Sequence, residues 1–137
     1  MQLYQPADDR IRVGVDVVHV DRVSRFAAEH RGRLDVVWTP LELAHGAGRA
    51  SEAQHLAVRF AAKEALLKAL GTGLGPGMSW TDIEVLNDRR GRPVLKLGGR
   101  VAAWAAAHGM RAADVSLSHT PTIAFAVVLV LASATPV

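Results

Sequence analysis

The 137-residue chain contains no cysteine, which excludes a disulfide framework and any thiolate-bound metal. Aromatic side chains are scarce: one tyrosine, three phenylalanines and three tryptophans, spread along the chain. Without stacking aromatics interleaved with basic runs, nothing reads as nucleic-acid recognition. Half the residues are apolar, yet no run approaches the roughly 20 that a membrane helix needs. The longest, Ile123 to Ala132 (IAFAVVLVLA), is short and β-branched and reads as a buried strand. The N-terminal MQLYQPADDRIR carries two aspartates before its arginines and no apolar core, so it does not read as a secretory signal. A cytoplasmic location is expected.

Lysine is nearly absent as well, occurring only at Lys63, Lys68 and Lys96, so arginine supplies most of the positive charge behind a net +3. Arginine suits bidentate contact with phosphate or carboxylate, although an Arg- and Ala-rich composition would give the same excess. Several catalytic motifs are missing. There is no G-x-x-x-x-G-K-[ST] or G-x-G-x-x-G phosphate loop and no H-E-x-x-H zinc helix. Nor is there a G-x-S-x-G elbow.

The elements that are present form one domain over residues 1–137, with a core at about 13–130 and loose ends at 1–10 and 133–137. Ile11–Val18 reads as a strand, and Val20, Val23, Phe26 and Ala27 share one helical face opposite Arg22 and Arg25. Thr39-Pro40-Leu41-Glu42 is a capping box that starts a short helix. Ser51 and Glu52 open a long helix that ends at Gly71. A loop of Gly71, Gly73, Gly75 and Gly77 follows. TDIEVL and RPVLKL then form a hairpin around NDRRG, VAAWAAAH a helix, and DVSLSH and TIAFAVVLVL two strands. The order β-α-α-α-β-β-α-β-β predicts an α+β fold, with helices packed on a mostly antiparallel sheet.

Within the long helix, Leu56, Phe60, Leu67 and Leu70 form an apolar stripe, and Lys63 falls inside it. That lysine must snorkel or pair with a carboxylate. Glu64 and Lys68 stand at the stripe's edge among alanines. They match the ordinary helix-stabilising pair at i and i+4, worth about 0.2–0.5 kcal/mol. Helix physics alone favours that pair, but a carboxylate and a lysine beside a glycine loop at the helix end also resemble a magnesium and pyrophosphate site. Asp16 interrupts the apolar strand GVDVV, either as a cap for the next helix or as a ligand to magnesium, which takes one or two carboxylates plus phosphates and water.

The segments GVDVV, WTPLEL, RFAAKEALLKALGTG, WTDIEV, GRPVL and VSLSHTPTIAFAVV, in this order and spacing, resemble the holo-acyl-carrier-protein synthases. These are the small, usually trimeric class of 4′-phosphopantetheinyl transferases. The resemblance implies transfer of the phosphopantetheine arm of coenzyme A to a serine of an apo acyl carrier protein, releasing adenosine 3′,5′-bisphosphate. It implies Asp16 and Glu64 as ligands of Mg²⁺ and Lys68 as a phosphate contact. Arg59, His119 and Thr120 would lie near the 3′-phosphate of coenzyme A, with the Gly71–Gly73 turn on the pyrophosphate and Gly91, Arg92 and Pro93 beside the adenine. Arg22, with Arg25, would dock the acidic carrier protein. The active sites would lie between subunits of a homotrimer.

Val18 stands where larger relatives carry a second acid, and His19 where many have one. The general base is open between Glu42, whose capping role already accounts for it, and a metal-ordered water. Two other readings are a non-catalytic module that docks carrier proteins and a small basic nucleic-acid-binding domain. Asp16, Glu64 and Lys68 together argue against the first, and the scarce aromatics against the second.

Overall fold

The computed structural model describes residues 1–3 and 11–133, and within them the element order is the one expected. Strand β1 (Ile11–His19) leads into helix α1 (Val20–Glu29), then α2 (Pro40–Gly46) and the long α3 (Glu52–Leu70). The hairpin β2 (Ile83–Asn87) and β3 (Pro93–Leu97), helix α4 (Gly99–Ala107), and strands β4 (Met110–His119) and β5 (Ile123–Ala132) complete the chain. Short 3₁₀ turns lie at Arg31–Val36 and Trp80–Asp82. The expected loose ends fall largely outside the described residues. Ser133, however, is tied down, its N–H donating to Gly109 at 2.7 Å.

The strands form two antiparallel sheets rather than one: β1-β5-β4, and the separate hairpin β2-β3. Helix α3 is the hub, touching β1, β5, β4, β2, α1 and α2. The single apolar stripe read from the sequence is therefore too narrow. With the large sheet on one side and α1, α2 and β2 on others, α3 buries Leu56, Ala57, Ala61, Leu66, Leu67 and Leu70 around most of its circumference. Its alanines are what let neighbours approach on every side. Gly71 ends the helix in the left-handed region at φ 79°, and the N–H groups of Gly71 and Thr72 both return to Leu67 O.

Local signals explain the smaller elements. The Thr39 hydroxyl accepts from Glu42 N at 3.3 Å and Glu42 Oε1 accepts from Thr39 N at 2.9 Å, completing the capping box. Val20, Val23 and Ala27 are the buried face of α1, while Phe26 stays partly exposed.

One expectation is corrected at β5. Side chains alternate across a strand, so Ala124, Ala126, Val128 and Val130 face α3 while Phe125, Leu129 and Leu131 point away from it. The strand is buried on one face only. On the other face of the sheet, β1 contributes Ile11, Val13, Val15 and Val17, all exposed. The result is an apolar sheet face that the described residues leave uncovered. No helix of the described residues is long and apolar enough to cross a membrane.

Candidate active site

Asp16 reaches α3 because of Gly14, two residues earlier on the same face of β1. A Cβ at Gly14 would stand 1.9 Å from Ala65 O and 2.7 Å from Ala69 N. The absent side chain therefore lets the strand backbone lie directly on the helix. Asp16 then meets the turn of α3 that carries Glu64 and Lys68. Lys68 Nζ lies 2.9 Å from Asp16 Oδ1 and 3.1 Å from Val15 O. Asp16 is thus no cap for α1, whose N-cap position is His19 with no side-chain bond. Lys68 bonds across to the strand instead of back to Glu64, so the simple i,i+4 helix pair is not what the structure contains.

The Glu64 carboxyl is held above the usual carboxylate range, first by burial and then by the Asp16 charge, with Lys68 opposing. Two carboxylates that resist sharing a site, with an ammonium drawn onto one of them, form an oxygen donor set that a small hard cation would relieve. Substrate phosphates and water would supply the rest of a magnesium shell. These acids open into a cleft of about 420 Å³ walled by Val18, Phe26, Trp38, Phe60 and Trp80, with Arg22 at its edge. Arg25 is exposed on α1.

A second cleft, of about 630 Å³, brings together Arg59, Pro93 and His119, with Gly91, Arg92, His45, His55 and Asn87. Arg59 is 4% exposed; it donates to His55 O at 3.2 Å and to Asn87 Oδ1 at 3.1 Å. Its Nε, also buried, has no partner among the described residues. Burial pulls its pKa down, partly offset by Glu42. A buried guanidinium with spare donors, surrounded by histidines, is suited to an anion. The two clefts share no lining residue. Arg59 and Glu64 are five residues apart on α3, about 140° around its axis.

Thr120 lies beside His119, but its hydroxyl accepts from Thr122 N at 3.2 Å and Ile123 N at 3.0 Å, shaping the β4–β5 turn. Gly71 and Gly73 follow Lys68 with φ of 79° and 60° and line neither cleft.

Lys63 resolves its sequence paradox by pairing with Glu42, both side chains 0% exposed, at 2.6 Å. Its Nζ also donates to Val37 O at 2.6 Å and Trp80 O at 3.2 Å. Burial lowers its pKa, and the Glu42 carboxylate opposes that. Glu42 Oε2 accepts from Val85 N at 2.9 Å. Enclosed and fully hydrogen-bonded, Glu42 cannot reach a substrate hydroxyl, which removes it as general base. The sequence offered no signal for its partner, since the pair spans 21 residues. Gly14, His45, His55 and Asn87 were likewise missed. A glycine two residues before the strand aspartate was the one available clue.

Residues 12–125 match the 4′-phosphopantetheinyl transferase superfamily. The holo-[acyl-carrier-protein] synthase of Geotalea daltonii is 45% identical over 117 residues, 85% of this chain and 94% of that protein. Among solved structures, the holo-(acyl-carrier-protein) synthase of Bacillus anthracis in complex with CoA (3′,5′-ADP) superposes with a TM-score of 0.74 at 31% identity, covering 90% of this chain and 99% of that one. The Chronobacterium ammoniagenes ACPS–CoA complex gives 0.77 at 33% identity, over 90% and 98%. Fold, motif order and sequence identity agree: the chain belongs to the 4′-phosphopantetheinyl transferase superfamily, within its holo-acyl-carrier-protein synthases.

Proposed function

We propose that this protein transfers 4′-phosphopantetheine from coenzyme A to a serine of an apo acyl carrier protein, with release of adenosine 3′,5′-bisphosphate. The observation that carries the reading is the convergence of Asp16, Glu64 and Lys68 where β1 lies on α3. A non-catalytic docking module has no use for two adjacent carboxylates and a lysine at the foot of an apolar cleft.

Asp16 and Glu64 would hold Mg²⁺, which supplies charge neutralisation on the pyrophosphate when bound. Lys68 contributes a fixed positive charge beside the same phosphates, exchanging Asp16 for a phosphate oxygen. The apolar walls of the acid cleft exclude water from the reacting phosphate and favour the serine hydroxyl. Arg59 and His119 bind the 3′-phosphate, and Pro93 flanks the adenine. Gly71 and Gly73 turn the backbone next to Lys68 toward the pyrophosphate, and Thr120 fixes the turn that presents His119. Arg22 and Arg25, exposed on α1, meet the acidic carrier protein, speeding encounter and setting its register.

The assembly is a homotrimer with active sites between subunits, acting in the cytoplasm, and the chain is one transferase domain. Two features support the shared site. The acid cleft includes Val17 and the basic cleft Val127 and Leu129, so both border the uncovered apolar sheet face. A second copy seated there brings the acid cleft of one subunit toward the basic cleft of another.

The test is the intact mass of an apo acyl carrier protein after incubation with this protein, coenzyme A and Mg²⁺. The reading predicts a gain of one phosphopantetheine arm, abolished by EDTA. No gain with several apo carriers, in a preparation that is folded, would overturn it.

A further inference from the structure

The basic cleft holds two histidines that the reading above leaves without a task. His45 ends α2 and His55 lies in the first turns of α3. Their rings meet edge to face with centroids 5.1 Å apart. The contact is built in: a Cβ at Gly46 would sit 3.2 Å from the His55 Cβ, so the glycine lets the end of α2 settle onto α3. His55 also offers its backbone oxygen to Arg59, at 3.2 Å, so the imidazole pair and the buried guanidinium form one unit.

We infer that His45 and His55, with Arg59, form a proton-coupled clamp for a dianionic phosphate monoester, taking up a proton as the phosphate enters. This inference rests on the proposed function and assigns the monoester to the 3′-phosphate of the coenzyme. Arg59 supplies the permanent charge, and its Nε, unpartnered among the described residues, leaves a donor for the phosphate. The histidines supply charge only on demand.

The surroundings set the direction of the coupling. His45 is held below its ordinary pKa by burial, Arg59 and Arg49. His55 is lowered by burial, by Arg59, by His45 and Arg49, and by His119 at the end of β4. From the hairpin and β4, the cleft is faced by Arg92 and Asp114, which bind each other at 2.6 Å. The empty cleft thus has abundant positive charge and a carboxylate already engaged, so both imidazoles are neutral near pH 7. A bound dianion reverses the balance and raises both toward protonation. Neutral imidazoles spare the ligand-free cleft two further positive charges beside Arg59, and protonated ones grip the phosphate.

By linkage, affinity rises as pH falls through the bound-state pKa and levels off below the free-state value, about tenfold per pH unit for each proton taken up. The probe is adenosine 3′,5′-bisphosphate, titrated calorimetrically near pH 7.5 in two buffers of different ionisation enthalpy. The expected result is net proton uptake. It falls in a His45→Gln/His55→Gln variant, and it falls when adenosine 5′-monophosphate replaces the bisphosphate. Binding without proton uptake, or uptake unchanged in the variant, overturns the clamp. Absence of bisphosphate binding overturns it too, and transfer to apo carrier protein measured on the same preparation shows whether the proposed function falls with it. Circular dichroism of the variant confirms its fold. His45→Gln and His55→Gln singly keep the test available if the pair does not fold.

Discussion

Gly14 and Ala65 touch backbone to backbone: a methyl group on the glycine would lie 1.9 Å from the Ala65 carbonyl oxygen. The contact determines how closely β1 lies on α3, and hence whether Asp16 meets Glu64 and Lys68 at all. Gly14→Ala must push strand from helix, because the clashing atoms are backbone and cannot turn aside. The expected loss of stability is about 1–3 kcal/mol by chemical denaturation. The loss in kcat/KM should be larger than that implies, about a hundredfold, because a displaced carboxylate no longer shares the site. A variant that keeps its rate would show that this contact does not position the acids.

The buried ion pair yields a prediction on stability alone. Lys63→Met removes the cation from a fully enclosed carboxylate and leaves Val37 O without its donor. About 3–5 kcal/mol of destabilisation should follow, read from the denaturant midpoint at neutral pH. A loss under 1 kcal/mol would mean that the pair contributes little to the fold.

Glu64 behaves in the opposite sense. Its folded pKa is raised, so the folded protein holds this proton more tightly than the unfolded chain does. The associated stability is present at low pH and is lost as pH rises through the raised folded value. At neutral pH without metal, Glu64→Gln should therefore increase Tm while abolishing transfer. Adding Mg²⁺ should raise Tm for the wild type and have little effect on the variant. Thermal scans with and without EDTA decide it; a variant that melts lower than wild type in EDTA would contradict the assignment of Glu64 as a strained carboxylate.

The element order, the start of α2 and the α3 terminus were legible in the sequence because they are local: a Pro at N1, a capping box, a glycine past the last helical turn. Asp16, Glu64 and Lys68 were legible for another reason, since charges at apolar positions stand out against their neighbours. What stayed hidden depends on contacts across the chain. Lys63 visibly needed a carboxylate, but nothing local pointed to Glu42. The division of the strands into two sheets was equally hidden. So was the exposure of β5's outer face, because a strand apolar on both faces reads as buried whether a neighbour in the same chain or another subunit covers it.

That outer face predicts assembly. Val13, the most exposed of the large apolar residues of β1, lies at 64%. Val13→Lys should convert the proposed trimer to monomers in sedimentation while leaving the far-ultraviolet circular dichroism intact, and transfer should fall to background if sites are shared. Retention of the trimer would move the interface elsewhere.

The most direct test of the shared site uses two inactive proteins. Glu64→Gln disables the acid cleft and Arg59→Met the basic one, and each subunit of a mixed trimer keeps the cleft the other has lost. After co-assembly in equal amounts, the account predicts transfer to apo carrier protein at roughly a quarter of the wild-type rate, the share of interfaces that join two intact clefts at random. A co-assembled mixture of folded trimers that stays inactive would contradict it.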